Sequence, residues 1–141
     1  MHIPVSGYAH VRITVSDIIR SRAFYDEVFG FPVAHELPPD ADSETREKLW
    51  FLFGGVIYQL PDGLFGLRPV GPGGDVFDED RVGLDHVSFA VRALADIERA
   101  AATLDGMAVA HGGVKDIGNG WILEFRDPDG IALELFAPKT G

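Results

Sequence analysis

Two stretches of the chain alternate polar and apolar residues with the two-residue period of a strand. In Tyr8–Val15, residues His10, Arg12 and Thr14 fall on one face and Val11, Ile13 and Val15 on the other. In Leu84–Val91, residues His86, Ser88 and Ala90 oppose Val87, Phe89 and Val91. A helical period follows each. Over Asp17–Phe29 the stripe is Ile18, Tyr25, Val28 and Phe29, with Ser16 as N-cap and Gly30 as the C-terminal cap. Over Ala93–Asp105 it is Leu94, Ile97, Ala101 and Leu104, closed by Gly106. Extended segments are predicted at 31–37, 48–53 and 55–60 after the first helix, and at 107–113, 120–126 and 131–137 after the second. Gly54-Gly55 and Asp127-Pro128-Asp129-Gly130 read as the turns that join the last two strands of each set.

The two halves also share residues. At an offset of 76 positions, Gly7 matches Gly83, His10 matches His86, Val11 matches Val87 and Val15 matches Val91; Val33-Ala34-His35 matches Val109-Ala110-His111. This is the signature of a duplicated unit. The expected fold is α+β: two βαβββ modules, 7–60 and 83–137, within a single domain spanning 1–141. The stretch 61–82, rich in Gly, Pro and acid, is read as the linker, with 64–70 as an additional short strand.

Composition narrows the function classes. Of 141 residues, 46% are hydrophobic, enough for a sizeable core, yet no apolar run is long enough to span a bilayer. The start has no basic region followed by an apolar stretch, so a secretory signal is not expected. There are no cysteines, which removes disulfides, thiolate metal sites and a cysteine nucleophile, and agrees with a cytoplasmic location. The net charge of −10 repels phosphate backbones, so neither nucleic acid nor a membrane is an expected partner.

The candidate chemistry sits on the polar faces of the strands. The valine and phenylalanine rows meet the helices, so His10 and His86 face whatever space the sheets enclose. On the last strand, Ala132, Glu134 and Phe136 share a face, and a carboxylate in so apolar a segment is costly to bury unpaired. Two imidazoles and a carboxylate form a divalent-metal ligand set, although a lone His is more often a core or surface residue, and a lone Glu more often wet or paired with Arg. Arg12 shares the face of His10, where it serves either a substrate carboxylate or enolate, or a salt bridge. Lys115 and Trp121 flank the Gly-rich 116–120, either a mobile substrate lid or an ordinary hairpin. His35 and His111 are read as structural or surface residues. Trp50, Phe51, Phe53 and Tyr58 suit a flat or cationic ligand.

The paired modules, the His in the first strand of each and "FRDPDGIALELF" together resemble the vicinal oxygen chelate superfamily over roughly Gly7–Ala137. That group includes glyoxalase I, extradiol dioxygenases, fosfomycin-resistance transferases and bleomycin-binding proteins. The resemblance implies a cupped eight-stranded sheet, a homodimer, and one divalent metal (Mn, Fe, Ni or Zn) chelating two adjacent oxygens of a small substrate. It matches His10, His86 and Glu134 to the metal ligands, Glu134 also acting as the catalytic proton carrier. It implies a fourth ligand on the last strand of the first module. Aligning Gly55 with Gly130 assigns that place to Gln59; aligning Gly63 instead assigns it to Leu67. A glyoxalase I-like lyase or isomerase fits best. A metal-free sequestering protein of the bleomycin-resistance type is the alternative, and an extradiol dioxygenase a further one, weakened because Glu124 stands where a Tyr is expected. A purely structural module predicts no metal.

Overall fold

In the computed structural model residues 1–139 are described, and the chain separates into two compact units, Met1–Asp75 and Val76–Gly141. The first contains β1 (His10–Thr14), α1 (Ile18–Val28), β2 (Val33–Glu36), the short α2 (Ser43–Lys48), a 3-10 turn at Trp50–Leu52, β3 (Val56–Leu60) and β4 (Gly63–Arg68). The second contains β5 (Val87–Ala90), α3 (Leu94–Gly106), β6 (Lys115–Asp116), β7 (Gly120–Arg126) and β8 (Ala132–Pro138). Each unit holds one four-stranded sheet, in the orders β1-β4-β3-β2 and β5-β8-β7-β6. In both, the first and last strands pair parallel and the remaining pairs are antiparallel. The duplication seen in the residues is thus a duplication of topology, two βαβββ modules in an α+β fold.

The predicted alternation decides which face meets a helix. In unit 1, Ile13, Val15, Val56, Tyr58, Phe65 and Leu67 are buried on the side of α1, whose Tyr25 is fully buried. In unit 2, Phe89, Leu123, Phe125, Leu133 and Leu135 are buried on the side of α3, against Ile97 and Leu104. At roughly 25 cal/mol per Å² of apolar area, these two rows supply most of the driving force for each module. The N-cap of α1 is Asp17 rather than Ser16. The Asp17 carboxylate accepts from the Ile19 and Arg20 N–H groups at 3.0 and 3.2 Å, a stronger cap than a hydroxyl, and Ser16 Oγ accepts instead from Arg20. Gly30 ends the helix at φ +62°, as expected.

Three predicted elements differ. The strand expected over 48–53 is absent: α2 runs into the 3-10 turn, and Phe53 stops the chain in the left-handed region at φ 51°, ψ 31°. The local reason is the cap. Asp42 accepts from the Thr45 N–H at 2.8 Å, and Glu44 in the first turn with Lys48 in the last suits the helix dipole. The apolar run after it then needs only one residue inside, Leu52. Within the linker read over 61–82, the short strand expected at 64–70 forms as β4, and what differs is its rank: it pairs with both β1 and β3, so module one extends to Arg68. Consequently the turn joining its last two strands is Pro61-Asp62. Gly54-Gly55 instead leads into β3, where a Cβ on Gly55 would lie 1.9 Å from the Leu67 carbonyl oxygen. In module two, the strand expected over 107–113 is reduced to one bridge between His111 and Phe125. Ala108 turns the chain at φ 56°, and the edge strand forms later, at Lys115–Asp116.

Candidate functional site

The polar face of the unit 2 sheet gathers titratable groups. Register places Glu124 opposite Glu134, Arg126 opposite Ala132, and Ser88 opposite Glu134 across the parallel pair, so His86, Glu124, Arg126 and Glu134 project to the side away from α3. They line a cavity of about 410 Å³ together with Asp85 and His111. The tight turn before β8 holds Glu134 in place. Buried Asp127 accepts from the N–H groups of Asp129 and Ile131, both at 2.9 Å, and Gly130 adopts φ +80°.

His86 is oriented from both ends. Its Nδ1 lies 2.5 Å from Asp85 Oδ1, and its Nε2 lies 3.7 Å from Glu134 Oε2. The Asp85 hydrogen bond is the main cause that raises the imidazole's pKa above its ordinary value, against some burial, with a further raise from the Glu134 charge. An Nδ1–H donated to a carboxylate leaves Nε2 with its lone pair, the arrangement that prepares a histidine to ligate metal. The half-buried Glu134, its side chain 18% exposed, faces that lone pair. These two donors fit a divalent cation. Within neither unit do three His, Asp or Glu side chains of the described residues gather as a complete ligand set.

The remaining candidates of unit 2 are engaged otherwise. Lys115 Nζ lies 3.1 Å from Glu124 Oε1, neutralising one of the two neighbouring carboxylates. Trp121 belongs to the Leu123 and Phe125 row, the face toward α3, and is covered by Lys139 Nζ at 5.4 Å from its ring centre. The Gly-rich loop between them is an ordinary hairpin: Gly118 N–H donates to Asp116 Oδ1 and Ile117 N–H to the Gly120 carbonyl, each at 2.9 Å. His111 is structural in its bonding. Its Nδ1 accepts from Gly113 N–H at 3.0 Å and its Nε2 meets Asp105 at 2.7 Å.

In unit 1, His10 and Arg12 share the sheet face away from α1, as the alternation predicts. With His35, Phe51, Ile57 and Gly66 they line a cavity of about 240 Å³. Register now locates the counterpart of Glu134. Val11 pairs with Phe65 as Val87 pairs with Leu133, so the residue in the Glu134 place is Gly66, which has no side chain. Neither alignment made from the sequence reached it: matching Gly55 with Gly130 ended on β3, and matching Gly63 ended on β4 one residue too far, at Leu67. Gln59 lies one strand away, on β3, and its amide nitrogen donates to the carbonyls of Leu60 and Gly63 at 2.8 and 3.2 Å. Tyr58 is not a ligand-facing aromatic: it is fully buried toward α1 and its hydroxyl donates to Asp26 at 2.9 Å.

Sequence reasoning missed Arg68 and Asp85. Arg68 follows Leu64 and Gly66 on β4 by strand alternation, and Asp85 directly precedes His86, so each had a signal once its strand was recognised.

Comparison with known proteins places this geometry. Among curated proteins none matches the sequence. A glyoxylase/bleomycin resistance protein/dioxygenase domain from Frankia sp. EAN1pec is 31% identical, with 97% of this chain and 95% of that one covered and a TM-score of 0.75. Two further solved structures share the fold at lower identity. Lactoylglutathione lyase from Agrobacterium tumefaciens is 17% identical, with 96% of each chain covered and a TM-score of 0.68. A mutant of the fosfomycin resistance protein FosX from Listeria monocytogenes, complexed with Mn(II) and 1S,2S-dihydroxypropylphosphonic acid, is 16% identical, with 96% and 94% covered and a TM-score of 0.70. The family match itself spans residues 7–135. The chain belongs to the Glyoxalase/Bleomycin resistance protein/Dioxygenase superfamily.

Proposed function

We propose that the protein is a metal-dependent enzyme of the glyoxalase type, acting on a small oxygen-rich molecule, with His86 and Glu134 of unit 2 as donors to a divalent metal. The observation that carries this reading is the orientation of His86: Nδ1 on Asp85 at 2.5 Å and Nε2 turned to Glu134 at 3.7 Å. His10 is proposed as a further metal donor because it holds in unit 1 the strand position that His86 holds in unit 2. The Mn(II) in the FosX complex supports a divalent ion in this family. A metal bound here supplies Lewis-acid polarisation of two adjacent oxygens.

The chain's own groups supply the rest. Glu134 is the proton carrier, taking a proton from a carbon next to a polarised oxygen and returning it to the neighbouring position. Its strand is fixed by the Asp127 turn, so the carboxylate is positioned before substrate arrives. Asp85 holds the His86 tautomer. Lys115 draws off the Glu124 charge, leaving Glu134 as the carboxylate of the pair that is free to serve the site. By the same reading the protein works in the cytoplasm as a homodimer, and no helix of the described residues is long and apolar enough to cross a membrane.

The test is elemental analysis of purified wild type beside His86→Ala and Glu134→Gln, after dialysis and stoichiometric reloading. The expected result is about one metal per chain in wild type, lost in His86→Ala and weakened in Glu134→Gln. A wild type that neither retains nor reloads a metal overturns the enzyme reading. The aromatic wall of unit 1, formed by Trp50, Phe51 and Phe53, favours the sequestering reading in that event.

A further inference from the structure

Beside His10, the same face of the unit 1 sheet carries side chains that metal binding does not use. Arg12 on β1 and Arg68 on β4 lie on the sheet face of His10, two residues apart in register. Both guanidinium groups flank one ring: the Arg68 carbon lies 4.3 Å and the Arg12 carbon 6.0 Å from the centre of Phe53. Arg12 donates one N–H to the Phe51 carbonyl, while its Nε is buried with no hydrogen-bond partner. Neither arginine has a carboxylate partner among the described residues. The chain has 22 acidic residues against 12 basic ones, so two neighbouring cations left without an acid stand apart from its general charge. Burial and the Arg68 charge both lower the Arg12 pKa, in that order, which marks a field that an anion would relieve.

The surroundings define the rest of the ligand. Phe51, Ile57 and Leu64 make the cavity wall apolar. Trp50 stands edge-on to Phe51 and Phe53, yet is 68% exposed, and Phe53 is held in the left-handed region at a cost of about 1 kcal/mol for a residue with a Cβ. An exposed indole and a strained phenylalanine around two cations are poorly explained by core packing. Gly66 completes the arrangement. A Cβ there would lie 3.0 Å from Arg12 Cγ and 3.3 Å from Ile57 Cγ1, so the bare backbone is what lets the Arg12 stem lie across β4.

We propose that this face binds the carboxylate of a small aromatic acid, with Arg12 and Arg68 receiving the anion and Trp50, Phe51 and Phe53 packing on its flat body. The proposal names a substrate class for the site above, and rests on that reading only in taking the protein to act on a small molecule; it needs no metal. The proposed ligand keeps the flat body that these aromatics suggested in the sequence and replaces the cationic alternative with an anion.

The experiment compares 2-naphthoate with 2-naphthamide, which keeps the flat body and removes the charge, by titration calorimetry at low salt on metal-stripped protein. A charge-assisted hydrogen bond replaces a neutral one, so naphthoate is expected to bind at least about tenfold more tightly. Arg12→Gln and Arg68→Gln each reduce that preference, Arg12→Lys keeps part of it, and the double Gln variant loses it. Equal affinity of the two probes, binding of neither, or a preference that survives in the double variant overturns the proposal. If the double variant does not fold, wild-type amide resonances decide: naphthoate must shift Phe51 and Gly66, and shifts confined elsewhere overturn the assignment. Because the protein is metal-stripped, a failed metal analysis leaves these outcomes unaltered, and the reverse also holds.

Discussion

Arg126 grips Glu79 with two nitrogens, at 2.6 and 3.0 Å, and also donates to the Gly130 carbonyl at 3.0 Å, so one side chain ties the chain ahead of β5 to the turn that carries Glu134. The paired hydrogen bonds hold the Glu79 carboxyl down to about 2 from an ordinary 4.5. A carboxyl depressed in the folded state stabilises it above its unfolded pKa, and that contribution disappears as pH falls from about 4.5 toward 2. Both partners are well exposed, so the gain in stability is small, and the titration itself is the sensitive readout. Carboxyl NMR is expected to give Glu79 a midpoint near 2, and Arg126→Gln is expected to move it up toward its ordinary value, short of it by what the backbone hydrogen bond retains. A wild-type midpoint in the ordinary range would show that the grip does not persist in solution. Tyr58 presents the buried counterpart. Its phenol is raised well above its ordinary pKa, first by burial and then by its bond to Asp26, so it stays protonated while the fold lasts. Tyr58→Phe leaves the Asp26 oxygen short of a donor and is expected to cost about 1 kcal/mol in urea unfolding. Absorbance titration is expected to show the Tyr58 phenol ionising only on alkaline unfolding.

Among the elements, the turn between β7 and β8 matters most to the site. Asp127 is 5% exposed and accepts two backbone N–H groups, so Asp127→Ala orphans both donors. The expected cost is about 2 to 3 kcal/mol, read as a shifted urea midpoint with unchanged slope, and metal retention falls with it. Glu134→Gln, which leaves the turn intact, is expected to weaken metal retention at a cost of less than about 1 kcal/mol of stability. If Asp127→Ala held metal as wild type does, the turn would not be what positions Glu134. The sequence made this turn legible because Asp-Pro-Asp-Gly has few other uses. It made β1 and β5 legible too, since strict alternation over eight residues admits little but a half-buried strand. Leu49–Phe53 was misleading for a physical reason: a short apolar run has the same hydropathy in a strand as in a 3-10 turn, and the Asp42 cap upstream decided between them. β4 was obscured by its own composition. Gly63 and Gly66 weaken a strand pattern, and their purpose, close approach to the Ala9 carbonyl and to Arg12, exists only once the sheet is formed. Leaving that strand outside the module favoured the Gly55 alignment and displaced the counterpart of Glu134 onto Gln59. Register across two parallel strand pairs was needed to find Gly66, and no residue type there could have announced it.

At the scale of the whole molecule, the two units have diverged on the same strand positions. Unit 2 keeps a carboxylate where β8 runs beside β5; unit 1 has Gly66 in that place and an arginine beside it. On the readings proposed above, the unit 2 face offers donors for a cation, and the unit 1 face offers arginines for an anion beside His10. This division has a thermodynamic consequence. A ligand that binds only the folded chain stabilises it by about 2.7 kcal/mol at a hundredfold excess over its Kd, which for a chain of this size is roughly 8 °C in Tm. Loading the preferred divalent metal is expected to raise Tm by that amount in wild type, and to leave His86→Ala unmoved. In Arg12→Gln the metal shift should be retained in full, because that side chain is bonded to Phe51 and stacked on Phe53 rather than joined to His86 or Glu134. A scanning calorimetry series of the three proteins, each with and without metal, separates the two specialisations. A metal shift that disappears in Arg12→Gln as well would mean that Arg12 itself supports the metal donors, and that its role is not the separate anion-binding one drawn from its strand.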